Sequence, residues 1–188
     1  MTAPPAPRVA VLISGRGSNM MALVEQARGY EVVVVASDNP EAPGLAWAAA
    51  RGIPTFALSP RGIGKRAMED AFLAEFVKYD VQAVALAGYM RLLTPQFIEK
   101  MRGAIANIHP SLLPLHKGLD THARALAAGD TRHGCSVHLV TEELDGGEVL
   151  GQAEVPVLPG DTPDILAARV LAQEHRLYPR VLAEWLTR

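Results

Sequence analysis

The fold class follows from one pattern, an alternation of short apolar runs with amphipathic stretches between residues 8 and 108. The runs are nearly continuous, which is typical of parallel strands that are buried on both faces. The stretches between them carry apolar residues at helical spacing, as Phe72, Phe76 and Val77 show. Strands that alternate with helices form βαβ units, whose right-handed crossovers produce a parallel sheet. The sequence therefore predicts an α/β domain with a mostly parallel sheet flanked by helices.

The predicted strands and helices alternate regularly up to residue 109, and the order of the elements changes after it. In the first part we place strands at 8–13, 30–36, 53–58, 81–87 and 103–108, and helices at 19–28, 44–51, 65–79 and 95–101. In the second part we place a helix at 121–128, strands at 135–140 and 151–156, and a long helix at 162–186. A turn at 144–147 lies between the two late strands, so we expect them to pair antiparallel. Thr94 and Pro95 form a good N-cap and first-turn pair.

Composition narrows the functional class. Of the 188 residues, 49% are hydrophobic and 20% are charged, which is ordinary for one globular domain with a real core. The net charge of -2 argues against broad electrostatic binding to nucleic acid or to an anionic membrane. Cys135 is the only cysteine, which excludes an intrachain disulfide and a Cys-rich metal site. We expect a flexible tail at 1–7, a single domain at 8–188 and a cytoplasmic protein without a membrane span.

A polar stretch follows the last strand of the parallel series. Asn107 lies in that predicted strand, His109 directly follows it, and Pro110 and Pro114 stiffen the loop beyond. The carboxyl ends of parallel strands are where ligands bind in open sheets. His109 changes charge near neutral pH, and Asn107 both donates and accepts hydrogen bonds. Taken alone, the tetrapeptide is more typical of a strand and a turn than of a site, so its interpretation depends on the rest of the chain.

The loop after the first strand, residues 15–19, is rich in glycine. Its backbone amides, the Ser18 hydroxyl and the dipole of the following helix together favour an anion. It is not a dinucleotide fingerprint, because Met20 stands where the third glycine would be, and it lacks the Gly-Lys-Ser/Thr ending of a P-loop. The alternative is a tight turn capped by Ser18 or Asn19. We favour a monophosphate site.

Residues 86–93 follow the fourth strand and face the same edge of the sheet. Their apolar character is suited to the wall of a flat heteroaromatic pocket. The alternative is that Met90 and Leu92 pack in the core.

Residues 142–147 concentrate acidic side chains before a glycine turn, a composition that is also common in plain surface turns. We predict that Asp145 lies at a strand end and approaches His109, because a carboxylate beside an imidazole favours the imidazolium form. No histidine pair has the spacing of a zinc protease, and Ser111 lacks the Gly-x-Ser-x-Gly context of a hydrolase nucleophile. A metal site or a serine hydrolase is therefore not predicted.

Several motifs match one family together and in chain order. They are residues 11–19, 86–93, 107–114, 133–138, 144–147 and 173–175. With these motifs the chain resembles the folate-dependent glycinamide ribonucleotide formyltransferases from about residue 8 to residue 185. The resemblance implies a Rossmann-like formyltransferase fold. It also implies formyl transfer from 10-formyltetrahydrofolate to the primary amine of glycinamide ribonucleotide in purine biosynthesis. Two small-molecule substrates, no metal, and a monomer or homodimer are expected.

The resemblance also implies roles for individual residues. The catalytic group would be Asn107, His109 and Asp145. The substrate phosphate would be held by Gly17, Ser18 and Asn19, and the ribose or glycinamide portion by Glu174. The residues implied for the 10-formyltetrahydrofolate site are Lys65, Met90, Arg91, Leu92, Leu93, Asn107, Thr141, Glu142, Glu143, Leu144 and Asp145. Two positions depart from the family pattern, which often has an aromatic residue at His116 and a histidine at Asp120.

The resemblance implies a mechanism without a covalent enzyme intermediate. The amine attacks the formyl carbon, and Asn107 and protonated His109 donate hydrogen bonds to the oxygen that becomes charged. Asp145 would keep His109 charged and help to relay a proton toward N10 of the folate.

Three other functions are also compatible with the sequence. A formyltetrahydrofolate deformylase would release formate without the amine, and we expect a regulatory module before its catalytic domain. A methionyl-tRNA formyltransferase is expected to carry a further RNA-contacting domain. The 188-residue length of this sequence favours neither the deformylase nor the methionyl-tRNA formyltransferase. A non-catalytic nucleotide-binding module would explain the sheet and the glycine loop, but it gives no reason for Asn107, His109 and Asp145 to coincide.

Overall fold

The computed structural model describes residues 5–188, so residues 1–4 of the predicted tail lie outside the described part of the chain. The strands are β1 (Arg8–Ile13), β2 (Glu31–Ser37), β3 (Thr55–Ala57), β4 (Ala83–Leu86), β5 (Ile105–His109), β6 (Arg132–Leu139) and β7 (Val149–Pro156). The helices are α1 (Ser18–Glu25), α2 (Pro43–Ala49), α3 (Lys65–Lys78), α4 (Pro95–Lys100), α5 (Thr121–Ala127) and α6 (Pro163–Leu186).

The strands form one seven-stranded sheet in the order β3-β2-β1-β4-β5-β6-β7. The pairs from β3 to β5 are parallel, whereas β6 pairs antiparallel with both β5 and β7. The predicted mostly parallel α/β sheet, with its antiparallel strands near the C-terminal end, is therefore confirmed. The carboxyl ends of β1, β2, β4 and β5 meet at one edge, and this edge carries the candidate site.

Each face of the sheet supports its own apolar core, because successive residues of a strand point to opposite faces. In β1, Val9, Val11 and Ile13 pack toward α1 and α6. Ala10 and Leu12 point the other way, toward α3 and α4. This double burial explains why the strands read as continuous apolar runs.

Two local predictions are wrong. Val77 was expected on the packed face of α3, but it is 76% exposed. The buried stripe of α3 runs through Met68, Phe72 and Phe76, and a residue five positions after Phe72 lies well around the helix from that stripe. The strand predicted to begin at residue 135 begins three residues earlier, at Arg132, so His133 lies within β6.

Helix α6 is bonded to β4 and β5 close to Asn107. Its N-cap is Thr162, whose hydroxyl accepts a hydrogen bond from the Ile165 backbone N–H. The hydroxyl of the fully buried Tyr178 lies 3.0 Å from the carbonyl oxygens of both Leu86 and Ala106. These carbonyls belong to neighbouring strands, so one side chain sets the position of the edge that carries Asn107.

Pro179 interrupts the hydrogen bonding of α6, because it has no backbone N–H to offer the carbonyl four residues before it. That carbonyl belongs to His175, and it accepts instead from Gln26 Nε2 at 2.9 Å. Gln26 is the C-cap residue of α1. The interruption therefore ties the two helices of one face together. Within residues 5–188, no helix combines the length and the apolar character needed to span a bilayer.

Candidate active site

The candidate active site begins on two paired strands. Asn107 and His109 lie on the same face of β5, since they are two residues apart. The antiparallel register sets His138 of β6 directly opposite Asn107. Asn107 Nδ2 lies 3.2 Å from His138 Nε2. Sequence reasoning noted His138 only as a strand residue, because its place beside Asn107 depends on a strand order that no local pattern reveals.

Asp145 completes the cluster, but it does not lie at a strand end as predicted. It lies in the loop between β6 and β7, with a left-handed φ of 49°. Its Oδ2 is 3.5 Å from His109 Nδ1, and its Oδ1 is 3.5 Å from His138 Nε2. Oδ2 also accepts a hydrogen bond of 2.9 Å from the Gly118 backbone N–H. The structure thus brings together the three residues that the sequence singled out, and adds His138.

Gly147, two residues after Asp145, lies very close to the backbone of β6. A Cβ at this position would overlap the carbonyl oxygen of Leu139, the last residue of β6. Any side chain would push the returning chain away from β6. The position of Asp145 in the same loop therefore depends on a close backbone approach that only glycine permits.

Burial sets the charge state of His109 in the free protein. His109 is only 6% exposed, and this desolvation lowers its pKa below the usual value. The His116 carbonyl and the Asp145 carboxylate act to raise that pKa, but burial outweighs them. The prediction that Asp145 keeps His109 charged is therefore wrong for the free protein.

His109 remains a hydrogen-bond donor when it is neutral. Its Nε2 lies 3.0 Å from the backbone carbonyl oxygen of His116, which can only accept, so Nε2 carries the proton. The Asp145 carboxylate shows the opposite balance. Burial acts to raise its pKa, but hydrogen bonds from His138 and Gly118 and the nearby His109 lower it overall. Asp145 is therefore ionised at neutral pH.

The loop after Pro110 is held by its own polar contacts. Thr121 Oγ1 donates to the Pro110 carbonyl at 2.6 Å. His116 Nε2 lies 2.6 Å from Asp130 Oδ2, so this departure from the family pattern has a polar partner within the chain. Asp120, the other departure, precedes α5 with a φ of 55° and makes no side-chain cap bond there.

The glycine-rich loop leads directly into α1. Gly17 is the N-cap residue with a φ of 71°, and no side chain caps the helix, so the alternative of a turn capped by Ser18 or Asn19 is wrong. The Asn19 side chain turns inward instead, where Nδ2 donates to Glu174 Oε2 at 2.7 Å. Burial raises the pKa of Glu174, and the Asn19 bond acts to lower it. No local sequence pattern indicates this pairing, because the two residues lie on the first and last helices.

An unpaired acceptor remains at this buried contact. Asn19 Oδ1 has no hydrogen-bond partner among residues 5–188. The first turn of α1 also leaves backbone N–H groups without helical partners, as every helix does. The start of α1 therefore offers backbone N–H groups that can donate to an anion. It also offers an unpaired acceptor, Asn19 Oδ1, in its first turn.

The segment after β4 presents apolar side chains at the same edge. Met90 is 70% exposed and Leu92 is 66% exposed, so the alternative that they pack in the core is wrong. Tyr89 is buried between them and the sheet, whereas Arg91 pairs with Asp38, a residue that sequence reasoning missed. Asp38 follows β2 directly, so its place at the edge follows only from the strand order.

Most of the remaining residues implied for the folate site occupy exposed positions, whereas Leu93 and Lys65 are partly buried. Leu144 is partly exposed beside Gly118, and Glu143 pairs with Lys117. Thr141 Oγ1 lies 3.4 Å from the Glu143 carbonyl oxygen, and Glu142 is exposed. Lys65 is the first residue of α3, away from the Asn107 cluster in the chain, and no ion pair is formed by it within the described residues. No three His, Cys, Asp or Glu side chains in that part of the chain are arranged to hold a metal ion.

The family described as Formyl transferase matches residues 7–182. The chain is 44% identical over 180 residues to phosphoribosylglycinamide formyltransferase of Escherichia coli (strain K12), covering 93% of this chain and 85% of that protein. The crystal structure of phosphoribosylglycinamide formyltransferase from Brucella melitensis matches with a TM-score of 0.92 and 51% identity, covering 98% of this chain and 97% of that one.

A longer relative is the trifunctional purine biosynthetic protein adenosine-3 of Drosophila pseudoobscura pseudoobscura, which is 43% identical over 190 residues. The match covers 97% of this chain but only 14% of that protein. The family match, the identity and the shared fold agree with each other over nearly the whole sequence. This chain belongs to the formyl transferase family.

Proposed function

We propose that this chain is a phosphoribosylglycinamide formyltransferase. It transfers the formyl group of 10-formyltetrahydrofolate to the primary amine of glycinamide ribonucleotide, giving formylglycinamide ribonucleotide and tetrahydrofolate. The similarity to the Escherichia coli and Brucella melitensis proteins supports the activity. The observation that carries the assignment of the site is the contact of Asp145 with His109, at 3.5 Å, beside Asn107 at the end of β5.

Two donors in the cluster are suited to an oxygen that gains charge. The Asn107 amide donates to the formyl oxygen, and the Nε2–H of His109, which bonds to the His116 carbonyl in the free protein, exchanges that partner for the formyl oxygen while the amine nitrogen bonds to the formyl carbon. Preorganised donors of this kind contribute about 3–4 kcal/mol each in acyl transfer. Nε2–H serves whether the imidazole is neutral or charged, so the lowered pKa of His109 does not remove this role.

Asp145 is suited to proton transfer. The amine loses a proton as the new C–N bond forms, and N10 gains one as the formyl C–N10 bond breaks, so the two transfers balance. Asp145 is ionised at neutral pH and accepts the proton, either directly or through water, before it passes to N10. The hydrogen bond from the Gly118 backbone N–H to Oδ2 holds the carboxylate in place for this step, with His138 Nε2 3.5 Å from Oδ1.

The acceptor substrate fits the region around α1. Its phosphate binds at Gly17 and Ser18, where backbone N–H groups and the helix dipole favour an anion. Asn19 belongs to the same phosphate site, and Glu174, which accepts a hydrogen bond from Asn19, binds the ribose or glycinamide portion. The free Asn19 Oδ1 supports this placement, because it provides an acceptor for a hydroxyl or an amine.

The formyl donor fits the exposed apolar surface beside the cluster. Met90, Leu92 and Leu144 are exposed there, and a pterin ring has two faces to bury. The residues of the proposed donor site are Lys65, Met90, Arg91, Leu92, Leu93, Asn107, Thr141, Glu142, Glu143, Leu144 and Asp145. The role of Lys65, the oligomeric state and the cytoplasmic location stay predictions.

One assay separates this function from its alternatives. Purified protein is given 10-formyltetrahydrofolate with and without glycinamide ribonucleotide, and tetrahydrofolate is followed by absorbance. We expect product only when both substrates are present. Product without the amine would identify a deformylase-like hydrolase instead, and no product under either condition would identify a non-catalytic module.

A further inference from the structure

The segment between β4 and α4, residues 88–93, is held by a buried carboxylate on a different strand. Asp38 directly follows β2 and is 7% exposed. Strand β1 lies between β2 and β4 in the sheet, so a contact from Asp38 to this segment must cross the end of β1. Adjacent strands are about 4.8 Å apart, so the contact spans roughly 10 Å of sheet.

Two side chains bridge that distance. Arg91 reaches across from the segment, and its Nε donates to Asp38 Oδ2 at 2.6 Å. Ser14 stands at the end of β1, and its hydroxyl donates to Asp38 Oδ1 at 2.6 Å. The same hydroxyl oxygen accepts from the Met90 backbone N–H at 2.9 Å. Both oxygens of Asp38 are thus engaged, one with the Arg91 side chain and one with the Met90 backbone through Ser14.

The segment is also fixed where it enters α4. Glu69 of α3 is 1% exposed, and its Oε1 accepts from the Thr94 backbone N–H at 3.1 Å. The Thr94 hydroxyl donates to the same carboxylate. Two buried carboxylates therefore restrain residues 88–93, while the side chains of Met90 and Leu92 remain exposed. Restraint of an exposed apolar surface favours the binding of a rigid ligand, because the surface then loses less conformational entropy when the ligand binds.

We propose that Asp38 is a positioning residue for the formyl donor. It holds Met90 through Ser14 and holds the guanidinium of Arg91 directly, so that the donor-binding segment is formed before the donor arrives. The Nε of Arg91 donates to Asp38. Arg91 therefore contributes to the donor site through its backbone, which this bond holds in place. The inference rests on the proposed function only for the identity of the ligand.

Steady-state kinetics of Asp38→Ala test the proposal. We expect the KM for 10-formyltetrahydrofolate to rise by about tenfold, in line with the loss of one charge-assisted hydrogen bond. The KM for glycinamide ribonucleotide and kcat should each change by less than about twofold, because the acceptor site and the Asn107 cluster do not contact Asp38. Ser14→Ala cuts only the link to Met90, so its donor KM should rise by a smaller factor, about threefold.

The chain offers a matched control. Glu41 lies three residues after Asp38, is exposed, and forms no side-chain ion pair within residues 5–188. Glu41→Ala makes the same change in net charge and should leave the donor KM unchanged. Asp38→Asn keeps the shape and one acceptor, so it should fall between wild type and Asp38→Ala. It also serves if Asp38→Ala does not fold.

A second readout needs no catalysis. Hydrogen exchange of the Met90 amide, followed by NMR, should be about tenfold faster in Asp38→Ala and Ser14→Ala than in wild type. The Val84 amide, which bonds to the Ala104 carbonyl in the core, should be unchanged. Unchanged Met90 exchange would overturn the inference, and so would faster exchange with an unchanged donor KM. Absence of amine-dependent turnover in the wild type would contradict the proposed function instead, and the Met90 exchange would still report on the restraint.

Discussion

His109 illustrates how two opposing effects act on one side chain. Burial lowers its pKa, and the neighbouring Asp145 carboxylate acts to raise it without prevailing. The sequence permitted the second effect to be predicted, since both residues belong to recognisable motifs. It did not reveal the first, because the desolvation of His109 depends on how β6 and the loop after Pro110 cover it.

Asp145→Asn should therefore lower the pKa of His109 further. The substitution removes the charge that favours imidazolium and keeps the size of the side chain, so the neutral form gains. The measurement is an NMR titration of the His109 ring proton on Cε1. Glu148→Gln is the control, because Glu148 is an exposed carboxylate at the end of the same loop. An unchanged or higher pKa in Asp145→Asn would show that the carboxylate does not act on His109.

Helix α6 shows how one element supports the site at a distance from it. Tyr178 is fully buried and bonds to the carbonyl of Leu86, at the end of β4, and to that of Ala106, which precedes Asn107 in β5. Glu174, one turn earlier, bonds to Asn19 of α1. The long helix thus reaches both the strand that carries Asn107 and the helix proposed to bind the phosphate.

Tyr178→Phe should destabilise the protein by about 1–3 kcal/mol, because the two carbonyls lose a donor in a region that excludes water. Urea unfolding followed by circular dichroism measures this change. Tyr79→Phe is the matched control, since Tyr79 is only partly buried and its hydroxyl makes no hydrogen bond among the described residues. Equal stability of the two variants would mean that the Tyr178 bonds contribute nothing net.

The bounds of strands and helices were predictable where a local sequence pattern marks them. Strand β1 has the predicted bounds, because a continuous apolar run ends at a glycine loop, and Thr94 caps its helix as expected. The contacts of Asn19 with Glu174, and of Asp38 with Arg91, were not predicted. Each joins residues far apart in sequence whose proximity follows from strand order and helix packing, which no single segment encodes.

The molecule as a whole carries several histidines that favour the neutral form. Burial lowers the pKa of His109, His122, His133 and His175, and for His133 the value is about 4. In the unfolded chain these groups titrate near pH 6.5, so below that pH the unfolded state binds more protons. Stability should therefore fall as the pH is lowered from 7 to 5. The raised pKa of Glu174 opposes this trend.

His133→Gln should reduce that loss of stability. His133 is 1% exposed, and with pKa values of about 4 when folded and about 6.5 when unfolded its contribution between pH 7 and 5 is about 2 kcal/mol. A neutral amide does not titrate there, whereas Glu174 titrates in both proteins and cancels in the comparison. Urea midpoints at pH 7 and pH 5 measure the effect. An equal loss of stability in variant and wild type would contradict it.

The cluster of Asn107, His109 and Asp145 is proposed to carry formyl transfer, and the kinetics of Asp145→Asn test this most directly. With both substrates present, kcat should fall by at least about a hundredfold, while each KM changes by less than about threefold, because the lost group acts in proton transfer. Glu148→Gln, which makes the same charge change in the same loop, should retain wild-type kcat. An Asp145→Asn kcat within about threefold of wild type would contradict the assignment of the active site.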